Sequence, residues 1–181
     1  MIASILSDPF SACLIGFVIG SSLGSFLNVC AYRIPNAVSV VRPRSFCPGC
    51  QRTIPWHQNL PVISWLLLKG NAKCCSFKIP LSYFLVEFVT GLAFGYVFFI
   101  SSSLSNWESG IPTCVFIFIM IGVILVDMKT MTIPDRFSMG GAVVGIILSI
   151  AFPVLHSVDG YVPTSRLISA FHSLVGLLIG S

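Results

Sequence analysis

Residues 111–126 read IPTCVFIFIMIGVILV, sixteen residues without a charge, and Asp127 follows at once. Such a stretch approaches the ~20 residues that cross a bilayer as a helix, the form that pairs every backbone N–H and C=O inside hydrocarbon. Four more apolar runs accompany it, at residues 10–32, 81–100, 137–155 and from 167 onward. Glu87, seven residues into the run 81–100, is the only acid in the interior of any of them. Across the chain 55% of residues are hydrophobic and 9% charged, where soluble domains carry roughly a quarter charged. The expected fold class is all-α, a polytopic transmembrane helical bundle of about five spans. The fifth run is still apolar at Ser181 after about 15 residues, so that span is expected to be incomplete and the chain to be cut inside a membrane helix. No Lys or Arg precedes the first run, which is also too long for the apolar part of an export signal, so it reads as a retained helix. Three regions follow: a first helix over 1–32, a cysteine-bearing loop over 33–80, and a transmembrane region over 81–181 that ends truncated.

Charge orients the bundle. Arg33, Arg42, Arg44, Arg52, Lys69, Lys73 and Lys78, seven of the ten basic residues, lie between the first two runs with no acid among them. The positive-inside rule makes that loop cytoplasmic. Alternation of the spans then puts Lys129 and Arg136 on the same side and Arg166 on the other. Seven charges spread over about 46 residues are explained by topology, so no nucleic-acid partner is expected, whereas contact with anionic membrane lipid is.

Four of the seven cysteines fall in this loop: Cys47, Cys50, Cys74 and Cys75. Cys47-Pro-Gly-Cys50 has the turn chemistry of a zinc knuckle, in which two thiolates converge on one ion. Cys74 and Cys75 are adjacent, and neighbouring side chains point apart, so both ligate together only on a distorted backbone. Structural zinc and reduced, unliganded cysteines are the two readings, since a cytoplasmic compartment disfavours disulfides. The bases Arg44, Arg52, Lys69, Lys73 and Lys78 favour thiolates. Cys13, Cys30 and Cys114 sit in apolar runs and read as packing residues.

Acids at a bilayer are costly unless paired or hydrated, so they are functional candidates. Asp127 closes the third run at the cytoplasmic edge, and Ile133-Pro134-Asp135 opens the fourth, with Pro134 forcing a break between them. Two carboxylates sharing a site divide into one protonated and one ionised group, the arrangement of aspartic peptidases. Asp135 is a possible second acid, although the favoured reading is a helix N-cap beside Lys129 and Arg136. Glu87 either serves a polar site near the cytoplasmic leaflet or pairs with Lys78 or Arg33. His57, His156 and His172 lack the spacing of a ligand set.

Beyond these patterns, the string Gly24-Ser-Phe-Leu-Asn-Val-Cys-Ala-Tyr-Arg-Ile-Pro35 resembles the first-helix exit of type IV prepilin peptidases, also called leader peptidase/N-methyltransferases. The order continues through Cys47-Pro-Gly-Cys50, Ile54-Pro-Trp56, Asn59-Leu-Pro61, Ser64-Trp-Leu66, the second cysteine pair, Ser82-Tyr83, Val86-Glu87, Val126-Asp127 and Ile133-Pro-Asp135. This resemblance covers nearly the whole chain. It implies a bacterial inner-membrane enzyme that cuts the basic leader from prepilins or pseudopilins and methylates the new amino terminus with S-adenosylmethionine. It further implies that Asp127 is the first catalytic aspartate and that Cys47, Cys50 and Cys75 are zinc ligands. Ala72 stands at the fourth ligand position, so coordination must recruit Cys74, a water or nothing. The family's second catalytic aspartate lies in a GxGD motif, a string that does not occur in these 181 residues. A prepilin carries a basic leader followed by an apolar helix, and its scissile bond therefore sits at the membrane boundary, the depth given to Asp127. Two other functions remain open: an inactive relative serving as a membrane scaffold, and a methyltransferase alone. No glycine-rich nucleotide loop of the soluble kind marks a donor pocket.

Overall fold

The structure, a computed structural model, describes residues 6–42, 44–131, 135–156 and 166–180. It is helical, as expected. Helix α1 spans Pro9–Arg33, α2 is a five-residue helix at Ile63–Leu67 inside the loop, and α3 spans Leu81–Ser103. Helices α4 (Trp107–Thr130), α5 (Asp135–Ala151) and α6 (Arg166–Gly180) complete the order.

Local chemistry sets the ends. Asp8 caps α1 by accepting from the Ser11 N–H at 2.8 Å, with Pro9 in the first turn, where its missing N–H costs nothing. Asn106 caps α4 in the same way, and Met131 ends it in the left-handed conformation, donating its N–H to the Asp127 carbonyl at 2.8 Å.

Among the described residues three helices, α1, α3 and α4, are long and apolar enough to cross a bilayer. Of the other two apolar runs, the fourth forms a shorter helix than expected and the fifth a helix as short as its run. Helix α5 has 17 residues and α6 has 15. At 1.5 Å per residue these reach only about 22–26 Å. The expected fourth span at 137–155 breaks after Ala151, because Pro153 cannot donate to a continuing helix and opens a short 3-10 turn instead. The residues between that turn and α6 lie outside the described set.

The core is inverted relative to a soluble protein. Small and polar residues such as Ala12, Ser21, Asn28, Thr90 and Ser102 are buried, while Phe10, Leu14, Val18, Tyr96 and Phe116 point outward, each more than 60% exposed. An outer surface of this kind suits lipid. Helices α1 and α3 run antiparallel in close contact. Gly16, Gly20 and Gly24 lie one turn apart on α1, and a Cβ at Gly20 would stand 2.5 Å from the Thr90 carbonyl oxygen and 2.6 Å from the Phe94 Cβ. Gly91 and Gly95 answer from α3 against Phe17 and Cys13. Close approach of small-residue faces is how helices associate without a hydrophobic drive. Helix α4 folds back through a three-residue turn, with the Asn106 N–H on the Ser101 carbonyl at 2.9 Å. Its last turn therefore returns to the end of the bundle from which α3 started. The loop and Asp127 consequently share one end.

Candidate functional site

Two tight knuckles build the cysteine cluster. In the first, Cys47 donates to the Arg52 carbonyl at 2.9 Å and Gln51 to Cys47 at 2.8 Å, with Gln51 left-handed at φ 58°. In the second, Ala72 donates to Phe77 at 2.9 Å and Ile79 to Gly70 at 2.7 Å. Gly49 lets them meet, since a Cβ there would fall 2.8 Å from the Phe77 Cβ and 3.2 Å from the Cys75 Sγ. All four sulfurs, of Cys47, Cys50, Cys74 and Cys75, lie within 4.8 Å of one another. Cys47 and Cys75 are 3.6 Å apart and Cys50 and Cys74 are 3.3 Å apart. Those distances exclude disulfides. They approach the ~3.8 Å edge of a tetrahedron with metal–sulfur bonds of ~2.3 Å. The turn at residues 73–76 aims both adjacent thiols inward without any left-handed residue, so the distortion expected of Cys74 and Cys75 is met by a bend alone. The Cys74 sulfur lies with the other three, at a cluster to which Ala72 offers no donor.

The thiols are unequal. Burial pushes Cys47 up, but N–H groups of Cys50 and Gly49 and hydrogen bonds from Cys74 and Cys75 outweigh it and leave Cys47 at about 7. Cys74 is pushed up to about 12 by its hydrogen bonds with Cys50 and Cys47, and then by burial. A donor set that shares protons between sulfurs in this way is suited to exchanging them for a soft divalent ion.

Below the knuckles, α1, α3 and the loop enclose a cavity of about 360 Å³. Asn28 crosses from α1 to donate to the Tyr83 carbonyl at 3.0 Å. Arg33, 4% exposed, donates to the Ser39 and Arg44 carbonyls and lies 5.8 Å from the centre of the Phe46 ring. Of the two expectations for Glu87, pairing with Lys78 or Arg33 is not what the structure shows. Its carboxylate accepts the Val62 N–H at 2.7 Å and faces the cavity. Val62 is strained. Its φ of 63° and ψ of −53° make a γ-turn, closed by the Ile63 N–H on the Pro61 carbonyl at 2.6 Å. A β-branched residue there costs about 1–3 kcal/mol and persists only where its surroundings hold it. Trp65 on α2 packs against Phe84 with ring centres 5.0 Å apart and planes tilted by 32°, and donates to the Ile79 carbonyl at 3.3 Å, which closes the loop over α3.

Asp127 stands exposed on the last turn of α4, outside the cavity lining. Asp135 is the first residue of α5, across a four-residue link, and its side chain lies outside the described residues. So do the side chains of His57 and His156. His172 is exposed on α6, remote in sequence from the cysteines. The structure thus unites the four cysteines and places Asp127 at their end of the bundle. The pairing of Glu87 with Val62 was not legible in the sequence, because it joins residues 25 apart through a turn that no residue type announces.

A bundle of apolar helices with a four-thiol loop and a carboxylate at one end defines a class, that of integral membrane proteins carrying a cysteine-knuckle domain. Residues 18–101 match the family described as Bacterial Peptidase A24 N-terminal domain. The chain is 36% identical to the prepilin leader peptidase/N-methyltransferase of Myxococcus xanthus over 76% of its length, covering 40% of that protein. It is 35% identical to a type 4 prepilin-like proteins leader peptide-processing enzyme of Escherichia coli, over 77% of the chain and 57% of the relative. To the prepilin leader peptidase/N-methyltransferase of Neisseria gonorrhoeae it is 28% identical, over 96% of the chain and 70% of the relative. The chain is thus similar to type IV prepilin peptidases, its residues 18–101 matching the bacterial N-terminal domain of that family. It spans about half the length of the curated relatives it matches. No solved structure matches it.

Proposed function

We propose that this protein removes the basic leader from type IV prepilins or pseudopilins at the cytoplasmic face of the inner membrane and methylates the amino terminus so exposed. The observation that carries this reading is the common end shared by the cysteine loop and Asp127 in an antiparallel bundle. With seven basic residues in that loop, the shared end is the cytoplasmic one. A prepilin enters the bilayer by its apolar stem and leaves its basic leader in the cytoplasm, so the peptide bond between them lies level with Asp127.

Asp127 acts as one carboxylate of a dyad. The ionised partner takes a proton from water as its oxygen bonds to the scissile carbon, and the protonated partner donates to the carbonyl oxygen; the C–N bond of this adduct then breaks as the nitrogen receives the proton taken from water, and the carbonyl oxygen returns its own. In this family the second carboxylate belongs to a GxGD motif; within residues 1–181 the next acid along the chain is Asp135.

Cys47, Cys50, Cys74 and Cys75 would hold a zinc ion, and four thiolates leave no open position, so the ion serves to fix the knuckles. S-adenosylmethionine, when bound, supplies an electrophilic methyl group: the amine lone pair forms the N–C bond, the C–S pair stays on sulfur as a neutral thioether, and the amine's surplus proton leaves to water. The chain's own part is to hold donor and amine together in a site screened from solvent.

Incubating membranes that carry the full-length protein with a prepilin tests the peptidase reading. Asp127→Ala is expected to abolish cleavage, and undiminished cleavage by that variant would remove Asp127 from the chemistry.

A further inference from the structure

We infer that the cavity enclosed by α1, α3 and the cysteine loop is the methyl-donor site, and that Glu87 is the counter-charge recognising the donor's sulfonium. This rests on the methyl-transfer reading above and adds to it a location and a residue.

Four features of the cavity converge on a cationic ligand of nucleoside size. Its volume of about 360 Å³ lies in the range of small-molecule sites. Part of its wall is aromatic, with Trp65, Phe77, Tyr83 and Phe84 among the lining residues, and such rings stack on a flat base and attract positive charge. Glu87 is the carboxylate on that wall, and among the described residues it makes no ion pair. The basic residue on the same wall, Arg33, is engaged by two carbonyls and a ring instead. A carboxylate left in an apolar cavity without a cation is expensive, and a ligand that brings one repays the cost.

The strained turn supports the same assignment. The Val62 N–H reaches the Glu87 carboxylate only because Val62 adopts a conformation that costs free energy. What the strain secures is a fixed carboxylate facing the cavity in advance of any ligand. A purely structural carboxylate would have been served at lower cost by a lysine or arginine, of which the loop has several. Knuckle residues Phe46 and Phe77 also line the cavity, so the cysteine cluster shapes one wall of it.

The charge of the ligand gives the test. S-adenosylmethionine carries a sulfonium, and S-adenosylhomocysteine is the same molecule with a neutral thioether. Full-length protein in detergent is titrated calorimetrically with each. In Glu87→Gln the amide oxygen still accepts from Val62, so the turn is retained while the charge is lost. That variant is expected to weaken S-adenosylmethionine by about tenfold and S-adenosylhomocysteine by less than about twofold, the signature of one lost charge contact. Leu60→Trp, which fills the cavity from the loop, is expected to weaken both by about tenfold or more. If the native protein binds both ligands and neither variant changes either affinity, the cavity is not the donor site and the methyl-transfer reading stands without it. Equal weakening of both ligands by Glu87→Gln overturns the role of its charge. A native protein that binds neither ligand refutes the methyl-transfer reading and this site together.

Discussion

Replacing Gly20 by alanine adds one methyl group where α1 and α3 touch. That carbon would stand 2.5 Å from a backbone oxygen of Thr90 and 2.6 Å from the Cβ of Phe94. Ordinary contacts need ~3.5 Å, so α3 has to retreat by ~1 Å at this level, and a gap of that size forfeits a quarter to a half of the dispersion attraction across it. Neither obstacle is the free end of a flexible side chain. Overpacking of this kind costs about 1–3 kcal/mol, from which alanine's better helix propensity returns up to ~1 kcal/mol. The net expectation is a loss of about 1–2 kcal/mol, or about 3–6 °C in the melting temperature of the detergent-solubilised protein. Gly145→Ala on α5 is the control, since a Cβ there meets nothing within 4 Å; it is expected to be neutral or slightly stabilising. If both variants melt alike, the close approach of α1 and α3 is not what holds this bundle.

The strained turn gives a reversal of the usual order: Val62→Ala, which keeps the strain and loses burial, is expected to be less stable than Val62→Gly by about 1 kcal/mol in thermal melts. Asn28→Ala removes the donor to the Tyr83 carbonyl and is expected to cost about 1 kcal/mol in the same assay. Metal analysis of the purified protein is expected to find one zinc per chain. Chelation or Cys75→Ser should release it and open the remaining thiols to a thiol reagent, while Cys114→Ser leaves the metal in place. Asp135→Asn removes the acid at the start of α5 and is expected to preserve cleavage by the full-length protein.

Much of this architecture was legible in the sequence for physical reasons. Uninterrupted apolar runs leave helices as the only way to pair the backbone in lipid, and the runs at 10–32, 81–100 and 111–126 emerged as α1, α3 and α4. Cys47-Pro-Gly-Cys50 announced its knuckle because its turn residues are local. The partner pair was harder, since whether Cys74 and Cys75 converge depends on the bridge from Asn71 to Lys78. The glycines at 16, 20 and 24 carried a readable four-residue spacing, a signal of close helix contact that hydropathy alone does not register. Pro153 marks the end of α5, but a reading by apolar runs passed over it and carried the span to residue 155. The Glu87–Val62 contact had no local signature. It arises from tertiary closure of the loop on α3.

Everything rests on which side of the bilayer the end bearing Asp127 faces. A green fluorescent protein or an alkaline phosphatase inserted after Met131, in the link between α4 and α5, reports that side in living cells. Fluorescence without phosphatase activity is the expected result, putting Asp127 and the cysteine loop on the cytoplasmic side with the leader. Phosphatase activity without fluorescence would put them opposite the leader and contradict the proteolytic function.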